Sequence, residues 1–173
     1  MAADDGEGTT QGPVVRGEPD DEAAFVRYGV ELVDQAALVL AGWVERCVLM
    51  VLAAQGLDAT AELRSETAAA GERATAAVVP RLRALLAADL DAQETGPLAL
   101  LREAVRYPTE VLSAAGAAPA VRDAFAVRAF PGDVYGLSPA AFGDIDERLH
   151  EPGLRWGAAK AYVHLARRRA TGR

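Results

Sequence analysis

The sequence predicts an all-α protein: a single-domain bundle of about five to seven helices around one long apolar central helix, with a disordered N-terminal tail. Three observations carry this. Alanine, the strongest helix former, occurs 38 times in 173 residues. Isoleucine occurs once, at Ile145, so apart from valine the β-branched apolar residues that favour strands are scarce. Proline and glycine fall where helices begin and end rather than between short alternating runs. Leu, Val, Ile and Phe number 41, enough for a core, but a thin one filled in by alanine.

Residues 1–19 hold glycine, proline, acids and threonine, and cannot bury enough apolar surface to offset their ordering entropy. They are read as a disordered acidic tail, and residues 20–170 as the helical domain. Pro19-Asp20-Asp21-Glu22 starts the first helix, with acids at the positive end of its dipole. No proline interrupts it before Ala54, and Gly56 is placed to close it. Gly29 and Gly42 are its weak points. Its first half is amphipathic, with Arg27, Glu31, Asp34 and Gln35 together. Its second half is apolar nearly all round, broken only by Glu45 and Arg46. Such a run invites a membrane-span reading, but two adjacent charges near its middle and no positive-inside order argue for a buried helix or a dimer seam instead.

Asp58–Leu90 reads as a second helical stretch, punctuated by Gly71 and Pro80, with Leu82, Leu85, Leu86 and Leu90 on one face. Residues 89–97 form a polar connector and a sub-boundary. Shorter helices are predicted over Pro97–Arg106, Pro108–Ala115 (stopped by Gly116) and Pro119–Ala129. Phe130-Pro131-Gly132-Asp133 has turn chemistry, and Ser138-Pro139 is a helix start. Leu154–Arg169 is the last helix, and residues 171–173 a flexible end.

The net charge is -7, which argues against a global nucleic-acid surface. The charge is polarised: residues 1–22 carry seven acids and one Arg, and residues 148–173 seven bases and one Glu. Arginine supplies all the bases but Lys160, which with the alanine excess reads as the coding bias of a high-GC bacterial genome. One cysteine, Cys47, forms no internal bridge, and the acidic N-terminus carries no signal-peptide pattern; a cytoplasmic setting is expected.

No motif for nucleophilic, phosphate-binding or dinucleotide chemistry is present. Glu147 and His150, three apart on one helix face, form the best metal-ligand pair, but the second Glu-x-x-His half-site of a di-iron bundle is missing. No metal or cofactor is therefore expected. Trp43, Glu45, Arg46, Cys47 and Met50 are candidates for a ligand cavity on the long helix; a plain core with a solvent stripe of charges explains the same residues. The last helix is the most informative element. Trp156, Lys160, His164, Arg167 and Arg168 recur as one stripe that runs on into Arg169, while Leu154, Ala158, Tyr162 and Leu165 form a face for inward packing. Gly153, Gly157 and Ala161 form a small-residue column. The expected function is a non-enzymatic protein-interaction or regulatory module, contacting a protein partner or a second copy through this basic stripe. The alternatives are a nucleic-acid-associated regulator using the same stripe, with weak, salt-sensitive binding, and a small-molecule-binding or enzymatic helical protein with its cavity near Trp43 and Cys47.

Overall fold

The structure, a computed structural model, describes residues 19–88, 97–121, 124, 133–137 and 152–172. Among them the chain is helical and contains no strand. The expected tail over 1–18, most of the connector 89–97, the turn at 130–132 and the helix start at Ser138-Pro139 lie outside the described residues.

Helix α1 runs from Pro19 to Ala54 without a break. Glycine costs a helix about 1 kcal/mol against alanine, and tertiary packing outweighs that here. The continuity has a visible cause at Gly29, where an added methyl would stand 2.9 Å from Ala159 Cβ and 3.0 Å from Leu86 Cδ1. The glycine is the point where two other helices press on α1. At the far end Gly56 takes φ +66°, and Leu57 N–H donates to the Leu52 carbonyl at 2.9 Å. This is the left-handed closure expected from the sequence.

Helix α2 spans Ala61–Ala87. Thr60 caps it, its hydroxyl accepting from Leu63 N–H at 3.2 Å. The helix therefore starts three residues later than the predicted Asp58. Gly71 and Pro80 both lie inside α2. The Pro80 ring removes one backbone donor, yet Val78, Val79, Leu82, Leu85 and Leu86 around it are buried and hold the helix in one piece.

Helix α3 spans Pro97–Glu103 and α4 spans Arg106–Ala114, joined by a two-residue turn. Pro108 falls in the first turn of α4 instead of opening it, a position where its missing N–H costs little. Gly116 closes α4 as Gly56 closes α1, at φ +73°, with Ala117 N–H donating to Leu112 O at 3.0 Å. Helix α5 spans Pro152–Thr171.

The core follows from this packing. Helix α1 lies against α2 along much of its length and also meets α4 and α5; α2 meets α3, α4 and α5. Leu40, Val44, Val48 and Leu52 of α1 are buried to the last few per cent, with Val78, Leu101 and Leu112 from the other helices. Alanine does what its frequency promised: Ala36, Ala70, Ala74, Ala104 and Ala159 are fully buried and let helices approach closely. Surface charges stitch the edges. Arg81 of α2 grips Glu103 of α3 through both guanidinium nitrogens, and the carboxylate raises the Arg81 pKa further above its ordinary range. Arg83 pairs with Asp34 at 3.2 Å. The Gln55 side-chain amide both donates to Ala118 O at 2.9 Å and accepts from Ala118 N–H at 2.8 Å, tying the end of α1 to the chain leaving α4.

Candidate functional site

The last helix carries the residues singled out as a contact stripe, and the structure divides them. Trp156 is 5% exposed and Lys160 9%. His164 is half-buried, while Arg167, Arg168 and Arg169 are exposed. The stripe therefore begins inside the protein and emerges only in the last turns. The inward face is Trp156, Ala159, Lys160 and Val163, and not the predicted Ala158, Tyr162 and Leu165. Ala158 and Tyr162 are only half-buried and Leu165 is exposed, while the Leu154 side chain lies outside the described residues. Tyr162 stacks on Phe25 of α1 with ring centroids 5.8 Å apart. The small residue at the helix crossing is Ala159 against Gly29, whereas among the described residues nothing lies within 4 Å of where a Gly157 Cβ would be.

The arginines at the tip have partners within the chain. Arg167 Nη1 donates to the Ala87 carbonyl at 2.7 Å. Ala87 ends α2, so its carbonyl has no acceptor role inside that helix and sits at the negative end of its dipole. Arg169 pairs with Glu22 in the first turns of α1 at 3.1 Å. Two of the three tip arginines thus fasten α5 to both helices of the antiparallel α1–α2 pair at one end, where α1 begins and α2 stops. The Glu22 contact also joins the acidic N-terminal segment, at its last residue, to the basic C-terminal helix.

The cavity candidates on α1 separate in the same way. Trp43 and Cys47 are buried in the core, while Glu45, Arg46 and Met50 are exposed. These five residues do not face one common site. Glu45 and Arg46 continue the solvent stripe begun by Arg27, Glu31 and Asp34. The metal-ligand pair Glu147 and His150 lies outside the described residues. Among the described residues no three histidines, cysteines or carboxylates come together as a metal site would require.

Two adjoining clefts lie elsewhere, between the first half of α2 and the end of α4. One, of about 360 Å³, is lined by Leu52, Leu57, Asp58, Glu62, Leu63 and Glu66 with Ala114. The other, of about 320 Å³, is lined by Glu66, Ala69, Arg73, Glu110 and Val111. Carboxylates rim an apolar floor in a groove open to water. Sequence reasoning did not single out this groove, although Glu62 and Glu66 stand four residues apart, the spacing of one helix face, with Asp58 just before the helix.

Helix α1 is long and apolar enough to cross a membrane by length and composition, with mean hydropathy 1.9 over its best window, 44% of which is buried against the rest of the chain. Comparisons with protein-family models, with curated proteins and with solved structures find no match to this chain.

Proposed function

We propose that this chain is a non-enzymatic, cytoplasmic interaction module, built as a bundle of five to seven helices, that engages an acidic protein partner through the exposed end of α5. The observation that supports this is the placement of Arg167, Arg168 and Arg169, all solvent-exposed at the end of a helix in a chain whose net charge is -7. An acidic partner reaching Arg169 competes with Glu22 for the same guanidinium. Binding would then loosen the clasp between α5 and the start of α1, coupling partner capture to the seating of the last helix.

Arg168 separates binding from folding best, because Arg167 and Arg169 also fasten the bundle. Arg168→Glu is expected to keep the thermal midpoint within a degree or two and to weaken capture of partner from a nuclease-treated lysate severalfold. Undiminished capture by a folded Arg168→Glu chain sinks the proposal.

The same three exposed arginines support a second reading, a nucleic-acid-associated regulator. Binding to DNA or RNA would then fall steeply between low and physiological salt, by roughly one power of the salt ratio per phosphate contacted. Captured material that vanishes on nuclease treatment would put this reading first.

A further inference from the structure

The solvent face of α1 carries a pattern that is complementary to itself. Glu31, Asp34, Leu38, Gly42, Glu45 and Leu49 follow one another at steps of three and four, with Arg46 alongside, so they share one side of the helix. Leu38, at the centre, is 74% exposed. One turn on is Gly42, where among the described residues an added methyl would meet only the Arg46 Nη1 atom, at 3.5 Å. A protruding leucine and a glycine notch, overlain by the flexible Arg46 guanidinium, thus stand one turn apart on the same face.

A knob and a notch on one helix face satisfy each other when a second copy is laid antiparallel about a two-fold axis. Leu38 of each copy enters the Gly42 notch of the other, and the absence of a side chain at Gly42 lets the axes come close. The charges obey the same symmetry. With Leu38 opposite Gly42, Arg46 falls opposite Asp34 and Gln35 opposite Glu45. Arg46, already folded over the notch, needs only to swing its flexible guanidinium aside. Asp34 keeps Arg83 on Oδ1, and a carboxylate accepts from more than one donor. A parallel in-register pairing would instead set Glu31, Asp34 and Glu45 against their own copies, which like-charge repulsion disfavours.

We propose that a second copy of this chain covers this face, in an isologous antiparallel α1–α1 contact with Leu38 seated at Gly42 and Arg46 paired with Asp34. This rests on reading the chain as an interaction module, but not on the basic end of α5. A single pair of helices buries less than the roughly 1,200 Å² of a standard interface, so the dimer is expected to be weak, with a dissociation constant on the order of tens of micromolar.

Sedimentation equilibrium of the full chain over a concentration series up to about ten times that constant tests it. The wild type is expected to dimerise, and Leu38→Lys to remain monomeric with an unchanged circular dichroism spectrum, since Leu38 supports nothing in the core. The charges give the sharper test. Arg46→Asp alone sets acid against acid, and Asp34→Arg alone sets base against base, so each is expected to be monomeric. Mixed one to one, they restore both ion pairs and are expected to form a heterodimer. A monomeric wild type, a dimer that survives Leu38→Lys, or a mixture that associates no better than either variant would each overturn the proposal. Capture of an acidic partner through α5 is expected to be unchanged in Leu38→Lys, so failure of one surface is separable from failure of the other.

Discussion

Gly71 of α2 lies directly on the backbone of Ala41 in α1. A methyl at Gly71 would stand 2.9 Å from the Ala41 Cα and 3.0 Å from its carbonyl oxygen. Backbone atoms inside a packed helix cannot yield as a flexible side chain does. Gly71→Ala should therefore destabilise the protein by about 1–2 kcal/mol, overpacking outweighing the gain of about 1 kcal/mol in helix propensity. Gly157, exposed in α5, is the control: Gly157→Ala should stabilise by up to about 1 kcal/mol. Urea midpoints of the two variants, moving in opposite directions, check this.

The second close approach joins Gly29 to Ala159, where the added methyl would be 2.9 Å from the Ala159 Cβ. Gly29→Ala should cost about 1–3 kcal/mol. Moving the methyl across the interface should recover part of the loss: the double variant Gly29→Ala/Ala159→Gly keeps one methyl at that contact, while the Leu86 side chain must still give way. A double-mutant cycle in urea should give a coupling above about 1 kcal/mol, and additive losses would contradict the contact.

The tip arginines should differ in their response to salt. Arg169 is exposed and its partner Glu22 half-buried, so Arg169→Ala should lose about 1 kcal/mol or less, and less still at high ionic strength. Arg167 reaches a helix-terminal carbonyl, and Arg167→Ala should lose about 1 kcal/mol with weaker dependence on salt. Thermal or urea unfolding at low and high salt separates the two.

Asp133 is 2% exposed, and its Oδ1 accepts from the backbone N–H groups of Tyr135, at 3.0 Å, and Leu137, at 3.3 Å. Asp133→Ala would leave both buried donors without this acceptor and should cost about 2–4 kcal/mol. Asp133→Asn retains a carbonyl oxygen and should cost about 1 kcal/mol. Equal losses in the two variants would show that the negative charge, not the acceptor geometry, holds the turn.

The long helix was legible from its ends inward. Pro19, the acids after it and Gly56 are local signals, and for this helix they suffice to set its boundaries. The start of α2 at Ala61 instead of Asp58 rests on the Thr60 cap, and only the path of the chain decides which side chain reaches a free N–H. Gly71 and Pro80 are punctuation in the sequence, since each disfavours an isolated helix, yet buried neighbours hold α2 through them. For the candidate sites the sequence placed the basic residues correctly at the end of α5 but not the face they occupy. That helix has little apolar asymmetry, so its own residues do not say which side turns inward.

By itself the sequence determined that this protein is all-α, where its longest helix starts and stops, and that its opposite charges gather at opposite ends of the chain. These properties depend on residues near one another, whose propensities and spacings act whatever lies across the core. Tertiary structure alone decided that Gly29 is a contact point and not a weak point, that Gly71 is a contact point and not a break, that Trp156 and Lys160 turn inward, and that Trp43 and Cys47 part from Glu45, Arg46 and Met50. Each of those outcomes depends on which distant segment arrives at the same place, and close packing resolves it through distances of a few tenths of an ångström that no local pattern encodes.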